Sequence, residues 1–217
     1  AQIKRFSKGK PPRLLPEGER LAVLRRCWKQ HAPSLSFENV IQGIDRVKSR
    51  LALSVFSDPA LESVFHGYQD LMKSEGSMDF SDLLLTTVSK MTNGEMSPLP
   101  IRWLLVDEAQ DMDEVQMEWI LLHGRSGIEV TLVGDDDQSL YAFRHALGYE
   151  GLQEVTFALS AIETTLPINY RCAPNILTHA AKLIEHNKNR APKKITAHKE
   201  ASGEINVLRL PDRWAEV

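Results

Sequence analysis

Leu104 to Asp111 reads LLVDEAQD, an apolar run that ends in two adjacent carboxylates, Asp107 and Glu108, with a third at Asp111. A strand holds such a pair rigidly at its end. The chemistry that needs this placement is work on phosphate: the first acid sits near a magnesium ion bridging nucleotide phosphates, and the second polarises an attacking water. An acidic pair also suits a helix N-terminus for dipole reasons, so the pair alone leaves both readings open. Further on, EVTLV (residues 129–133) ends in GDDDQ, and TTLPINYR brings Tyr170 and Arg171 in front of Pro174.

The elements that must position these residues follow from periodicity. IRWLLV (101–106) and EVTLV are short continuous apolar runs, and residues 113–123 between them carry Val115, Trp119, Ile120 and Leu122 at helical spacing. Strand, helix, strand with polar residues after both strands predicts an α/β fold with a parallel sheet, whose ligands bind beyond the carboxyl ends. That places the chemistry at 107–111 and 134–144. A further unit opens at TTLPINYR, continues in a helix from Pro174 with Ile176, Leu177, Ala180, Ala181 and Ile184 on one stripe, and leads to a strand at GEINVLRL, 203–210.

The first half reads as helices. Phe37, Val40, Ile41, Ile44, Val47 and Leu51 follow one helical stripe behind Ser36 as N-cap, and Leu61, Val64, Phe65, Tyr68, Leu71 and Met72 follow another after Pro59. Residues 17–31 and 80–91 are weaker helices. The expected division is therefore 1–97 helical, 98–164 the first sheet unit, and 165–217 the start of a second. At 217 residues and 42% hydrophobic, the chain can bury a real core.

Charge and composition exclude some classes. The net charge of −3 argues against a generally basic nucleic-acid binder, but residues 1–30 carry nine Lys/Arg against two Glu. This basic arm fits either a phosphate track or a solvated terminus. No run reaches the ~18 apolar residues of a membrane span, and AQIKRFSKGK has no signal-peptide core, so the expectation is no membrane and a cytoplasmic location. Cys27 and Cys172 are too far apart for a CxxC pair and read as reduced thiols.

LLVDEAQD, then LVGDDDQSLYAFRHA, then LPINYRCAPNIL resemble motifs II, III and IV of UvrD/Rep-like superfamily I DNA helicases, in family order and spacing. MDFSDLLL (78–85) resembles the stretch before motif II there. The resemblance implies a P-loop-NTPase-like (RecA-like) sheet core, an inserted all-helical 1B-like subdomain and the start of a second RecA-like domain. It implies ATP and Mg2+ as cofactors and single-stranded and duplex DNA as partners. Under it, Asp107 holds the magnesium through water and Glu108 is the general base. Gln138 senses the γ-phosphate, Tyr170 stacks on adenine, and Arg171 is an arginine finger from the following domain. Tyr141, Phe143 and Arg144 face single-stranded DNA, the aromatics stacking on bases. The chain has Ala142-Phe143-Arg144 where the family has Gly-Trp-Arg, which gives a smaller stacking face. Ala109, Ile168 and Cys172 also depart from the family pattern.

A working NTPase of this type needs a G-x-x-x-x-G-K-[ST] loop to cradle phosphates, and these 217 residues contain none. The expectation is an interior segment of an ATP-dependent helicase, inactive alone. Two other classes stay open: a non-catalytic nucleic-acid or protein-binding relic, and a metal-dependent nuclease built on Asp107, Glu108, Asp111 and Asp135 to Asp137.

Overall fold

The computed structural model describes residues 11–52, 56, 58–139 and 145–206. The chain divides into two compact parts, 1–161 and 162–217, each described here by itself.

In the first part, helices α1 (Glu17–His31), α2 (Phe37–Lys48), α3 (Pro59–Ser74) and α4 (Phe80–Thr92) occupy the predicted stretches, except that α2 stops at Lys48 with Ser49 as its C-cap and leaves Leu51 outside the helix and exposed. Their starts are chemically specified. Ser36 accepts from the Asn39 N–H, Asp58 accepts from the Ala60 N–H ahead of Pro59, and Asp79 forms a reciprocal capping box with Asp82. The stripes of α2 and α3 meet α1 in a core of Leu24, Val40, Ile44, Val64, Tyr68 and Met72, all essentially sealed from solvent. Each buried aliphatic side chain there contributes roughly 1.5–3 kcal/mol.

Behind this core lies a buried ionic cluster. The Lys48 Nζ donates to Asp79 Oδ2 at 2.6 Å and pairs with Asp82 Oδ1 at 2.7 Å, and the Tyr68 hydroxyl donates to the same Asp79 oxygen at 2.8 Å. The ammonium also sits 4.6 Å from the centre of the Tyr68 ring. Burial pulls Asp79 up, but Lys48 and the donated hydrogen bonds outweigh it and hold the carboxyl below its ordinary value. Burial and the neighbouring Asp79 push the Tyr68 phenol up. The cluster ties α2, α3 and the start of α4 to one another.

The stretch read as wholly helical also contains a parallel pair, β1 (Arg13–Leu14) with β2 (Ser77–Met78). Two-residue strands paired across such a separation leave no periodicity to read. The basic arm is partly consumed by packing. Arg20 is buried against Glu17 at 2.9 Å and Asp45 at 3.1 Å, and Arg25 lies over the Phe37 ring. Residues 1–10 of that arm lie outside the described residues.

The predicted strand–helix–strand is present as β3 (Trp103–Val106), α5 (Glu114–Arg125) and β4 (Glu129–Leu132), shorter at the strands than the apolar runs. β3 and β4 pair in parallel, with Trp103 opposite Glu129 and Val106 opposite Leu132. The ladder runs past the strands, from the Val133 N–H to the Val106 carbonyl and from the Ala109 N–H to the Val133 carbonyl. Leu104, Val106, Val130 and Leu132 pack on Ala109, Met112 and Ile120. On the other face Leu105 is 75% exposed and Trp103 and Val133 are also bare. His123, fully buried, accepts the Leu99 N–H at Nε2, so its Nδ1–H donates to the Trp119 carbonyl and fixes the approach to β3.

A helix without a counterpart in the sequence reading, α6 (Gly148–Leu159), follows; its Val155 packs on Met117 and Leu121 of α5. Gly148 and Gly151 lower its helix propensity, and tertiary packing overrides that.

In the second part, β5 (Ile168–Asn169) pairs in parallel with β6 (Thr196–Ala197), and α7 (Pro174–Ile184) starts at its proline as predicted. The strand expected at 203–210 is not formed over 203–206, and 207–210 lie outside the described residues. Gly203 instead exchanges two hydrogen bonds of 2.8 Å with the Asn175 side-chain amide, which removes its backbone from any ladder. Among the described residues no helix is long and apolar enough to cross a membrane.

Candidate functional site

The carboxyl ends of β3 and β4 lie side by side, and a polar chain runs between them. Glu108, directly after Asp107, takes a left-handed backbone (φ 52°, ψ 40°), a conformation that costs a non-glycine residue about 1–3 kcal/mol and persists only where surrounding bonds enforce it. Two bonds do so here. The Glu108 N–H donates to Asp107 Oδ1 at 3.0 Å, and Glu108 Oε2 accepts from Gln110 Nε2 at 2.8 Å.

Gln110 is the hub. It is 1% exposed, and its other amide atom, Oε1, accepts the Asp135 N–H at 3.0 Å. Asp135 in turn accepts from Gln138 Nε2 at 2.7 Å and caps the 3₁₀ turn 136–138 through the Asp137 N–H. The order Glu108, Gln110, Asp135, Gln138 therefore links the end of one strand to the loop after the other. Gly134 permits it: a Cβ there would stand 2.8 Å from Gln110 Oε1 and 3.2 Å from the Gln110 backbone nitrogen.

Asp107 and Glu108 remain exposed beside this hub, on the rim of a pocket of about 440 Å³ lined also by Leu84, Asp111, Gln116 and Trp119. One oxygen of Asp111, Oδ1, is sealed from solvent without a hydrogen-bond partner. Hard carboxylate oxygens are the donor set that magnesium takes, so the residues fit that ion chemically. The carboxylates of Asp135, Asp136 and Asp137 approach within 4.8 Å of one another, but Asp135 is already engaged as a cap.

At the next element, burial raises the Asp113 carboxyl even as it caps α5 with Gln116. Of the predicted DNA-facing residues, Tyr141, Phe143 and Arg144 all lie outside the described residues. His145 follows them with φ 66°.

In the second part, Tyr170 and Arg171 stand immediately after β5. The Asn169 side chain accepts from the Arg171 and Cys172 N–H groups at 3.0 and 2.7 Å and shapes that turn. Both Tyr170 and Arg171 are exposed.

Asp107, Glu108 and Gln138, expected together at one end of the sheet, lie just after β3 and β4. Gln110 lies within LLVDEAQD, but the motif by itself gives it no role. The available signal was chemical: an amide that can donate and accept at once, two residues after an acid. Gly134 was likewise passed over, because a close approach between non-neighbouring segments leaves no local mark.

Comparison with known proteins supplies the family. Residues 32–153 match the UvrD/REP helicase N-terminal domain. The chain is 39% identical over 140 residues to DNA helicase II of Escherichia coli, covering 62% of this chain and 19% of that protein. It is 30% identical over 165 residues to the ATP-dependent DNA helicase PcrA of Leuconostoc citreum, covering 74% and 22%. To the ATP-dependent DNA helicase Rep of Buchnera aphidicola it is 27% identical over 209 residues, covering 90% and 31%. The chain thus spans about a fifth of the length of the first of these relatives. With more than half of its residues matched by the family's own sequence pattern, this chain belongs to the UvrD/REP helicase N-terminal domain family.

Proposed function

We propose that these residues form part of the ATP-hydrolysing motor of a DNA helicase that moves along single-stranded DNA and separates the duplex. The observation that carries this reading is the hydrogen-bonded chain from Glu108 through Gln110 and Asp135 to Gln138, which sets a base and an amide at the same end of two parallel strands.

Glu108 accepts the proton of the water that attacks the γ-phosphorus, as ADP leaves. Gln138 contacts the γ-phosphate with an amide that both donates and accepts. Asp107 is the residue that would hold magnesium, whose charge offsets that of the phosphates. Tyr170 and Arg171 take the adenine and the γ-phosphate, and Tyr141, Phe143 and Arg144 take the DNA. The names of the relatives support the substrate classes.

The remainder of a RecA-like sheet belongs to this reading too. Parallel sheets are covered on both faces, and the bare Trp103, Leu105 and Val133 await such cover. Residues 1–217 contain no phosphate-cradling loop, so turnover by this stretch alone is expected to be negligible. A cytoplasmic location is part of the same proposal.

The nuclease alternative is disfavoured because it gives no role to Gln138, Tyr170 or Arg171, and Asp135 is already used to orient Gln138. The test is DNA-stimulated ATP hydrolysis by the full-length protein. Glu108→Gln should abolish turnover, by roughly a hundredfold or more for loss of a general base, while ATP still binds. Retained turnover in that variant would remove Glu108 from the chemistry.

A further inference from the structure

β5 and β6 run in parallel register, Asn169 opposite Ala197, so the first residues past each strand are neighbours as well. Those residues are Tyr170 and His198. Their rings touch, with centroids 4.7 Å apart and planes inclined by 44°. The backbone beneath them is fixed on both sides: the His198 N–H donates to the Asn169 carbonyl at 2.9 Å, and the Asn169 side chain caps the turn after Tyr170. One residue further on, the Lys199 Nζ donates to the Arg171 carbonyl at 2.6 Å. Two consecutive positions of the motif strand are therefore each held by the matching position after β6.

Tyr170 is 64% exposed in spite of this contact. One side of its ring meets the imidazole while most of the rest faces solvent. An exposed tyrosine normally samples several rotamers, and a ligand that stacks on it must bear the entropy of choosing one. An aromatic neighbour on the adjacent strand removes part of that cost in advance.

We infer that His198 is a positioning residue for nucleobase recognition, holding the Tyr170 ring from behind so that its open face is presented to a purine. The inference rests on the reading of Tyr170 as the adenine platform. Lys199 acts alongside by fixing the main chain at Arg171.

The test measures binding of ATP and, separately, of inorganic tripolyphosphate to the full-length protein by calorimetry. His198→Ala should weaken ATP about three- to fivefold, the worth of one cross-strand aromatic pair, and leave tripolyphosphate unchanged, because only the base is affected. His198→Phe, which keeps a ring at the position, should restore ATP binding. Tyr170→Ala provides the reference and should weaken ATP about tenfold or more. If Tyr170→Ala weakens ATP and His198→Ala does not, the inference falls and the platform reading stands. If neither changes ATP binding, the platform reading itself falls and takes the inference with it. Equal weakening of ATP and tripolyphosphate by His198→Ala would make the histidine merely structural and also overturns the proposal.

Discussion

Lys48, Asp79, Asp82 and Tyr68 close their polar atoms on one another behind three helices. Glu108, Gln110, Asp135 and Gln138 run from one buried amide outward to groups that stay in solvent. In the first network Lys48, Tyr68 and Asp79 are all sealed from solvent, whereas in the second only Gln110 is. They differ in what is left over. In the helical cluster the ammonium and the Asp79 carboxylate are matched where water cannot reach them, so the arrangement defines a packing and offers nothing to a ligand. At the strand ends the buried amide spends both its functions on orientation and leaves the carboxylates of Asp107 and Glu108 accessible, one on a left-handed backbone. Polar groups that hold the helices together are thus enclosed, and the accessible carboxylates at the strand ends are steered from below.

The largest effect should come from breaking the enclosed network. Lys48→Met leaves Asp79 and Asp82 buried without their cation and should cost about 3–5 kcal/mol in stability, read by denaturant unfolding. A loss under about 1 kcal/mol would mean that water already reaches the cluster.

Acid probes the same site with a definite sign. The Asp79 carboxyl is held below its ordinary value of about 3.8, so its contribution is complete above that pH and is lost as pH falls through the lowered value. Asp45 and Asp113, pushed up by burial, work in the opposite direction. Asp79→Asn should flatten the acid limb of the unfolding profile; an unchanged limb would remove Asp79 as its source.

A smaller effect is expected between the two networks, at the start of α5. Asp113→Ala removes a reciprocal cap and should destabilise by about 1 kcal/mol, measured by thermal unfolding, without reaching the helical cluster.

Where sequence and structure agree, the agreement has local causes. The stripes of α2 and α3 repeat at helical spacing for several turns and carry their caps with them, so their place is written in adjacent residues. β3 and β4 end in acids within a few residues of their apolar runs, which fixes where Asp107, Glu108 and Gln138 fall. What was missed depends on partners far along the chain. α6 stands through packing on α5 against two glycines, and β1 and β2 are too short to show a period. Gly203 was read as strand, yet Asn175 claims its backbone. Gln110 looked like a spacer between acids and becomes the hub only when β4 brings Asp135 beside it.

The central claim is that Gln110 aligns Glu108 with the loop of Gln138 for ATP hydrolysis. The most direct measurement is steady-state ATPase of Gln110→Ala in the full-length protein, with its unfolding recorded in parallel. Loss of the hub should lower kcat about tenfold or more through misplacement of the base. Stability should fall by only about 1–3 kcal/mol, from the unpaired Asp135 N–H. A kcat equal to that of the unaltered protein, in a variant that still folds, would contradict it.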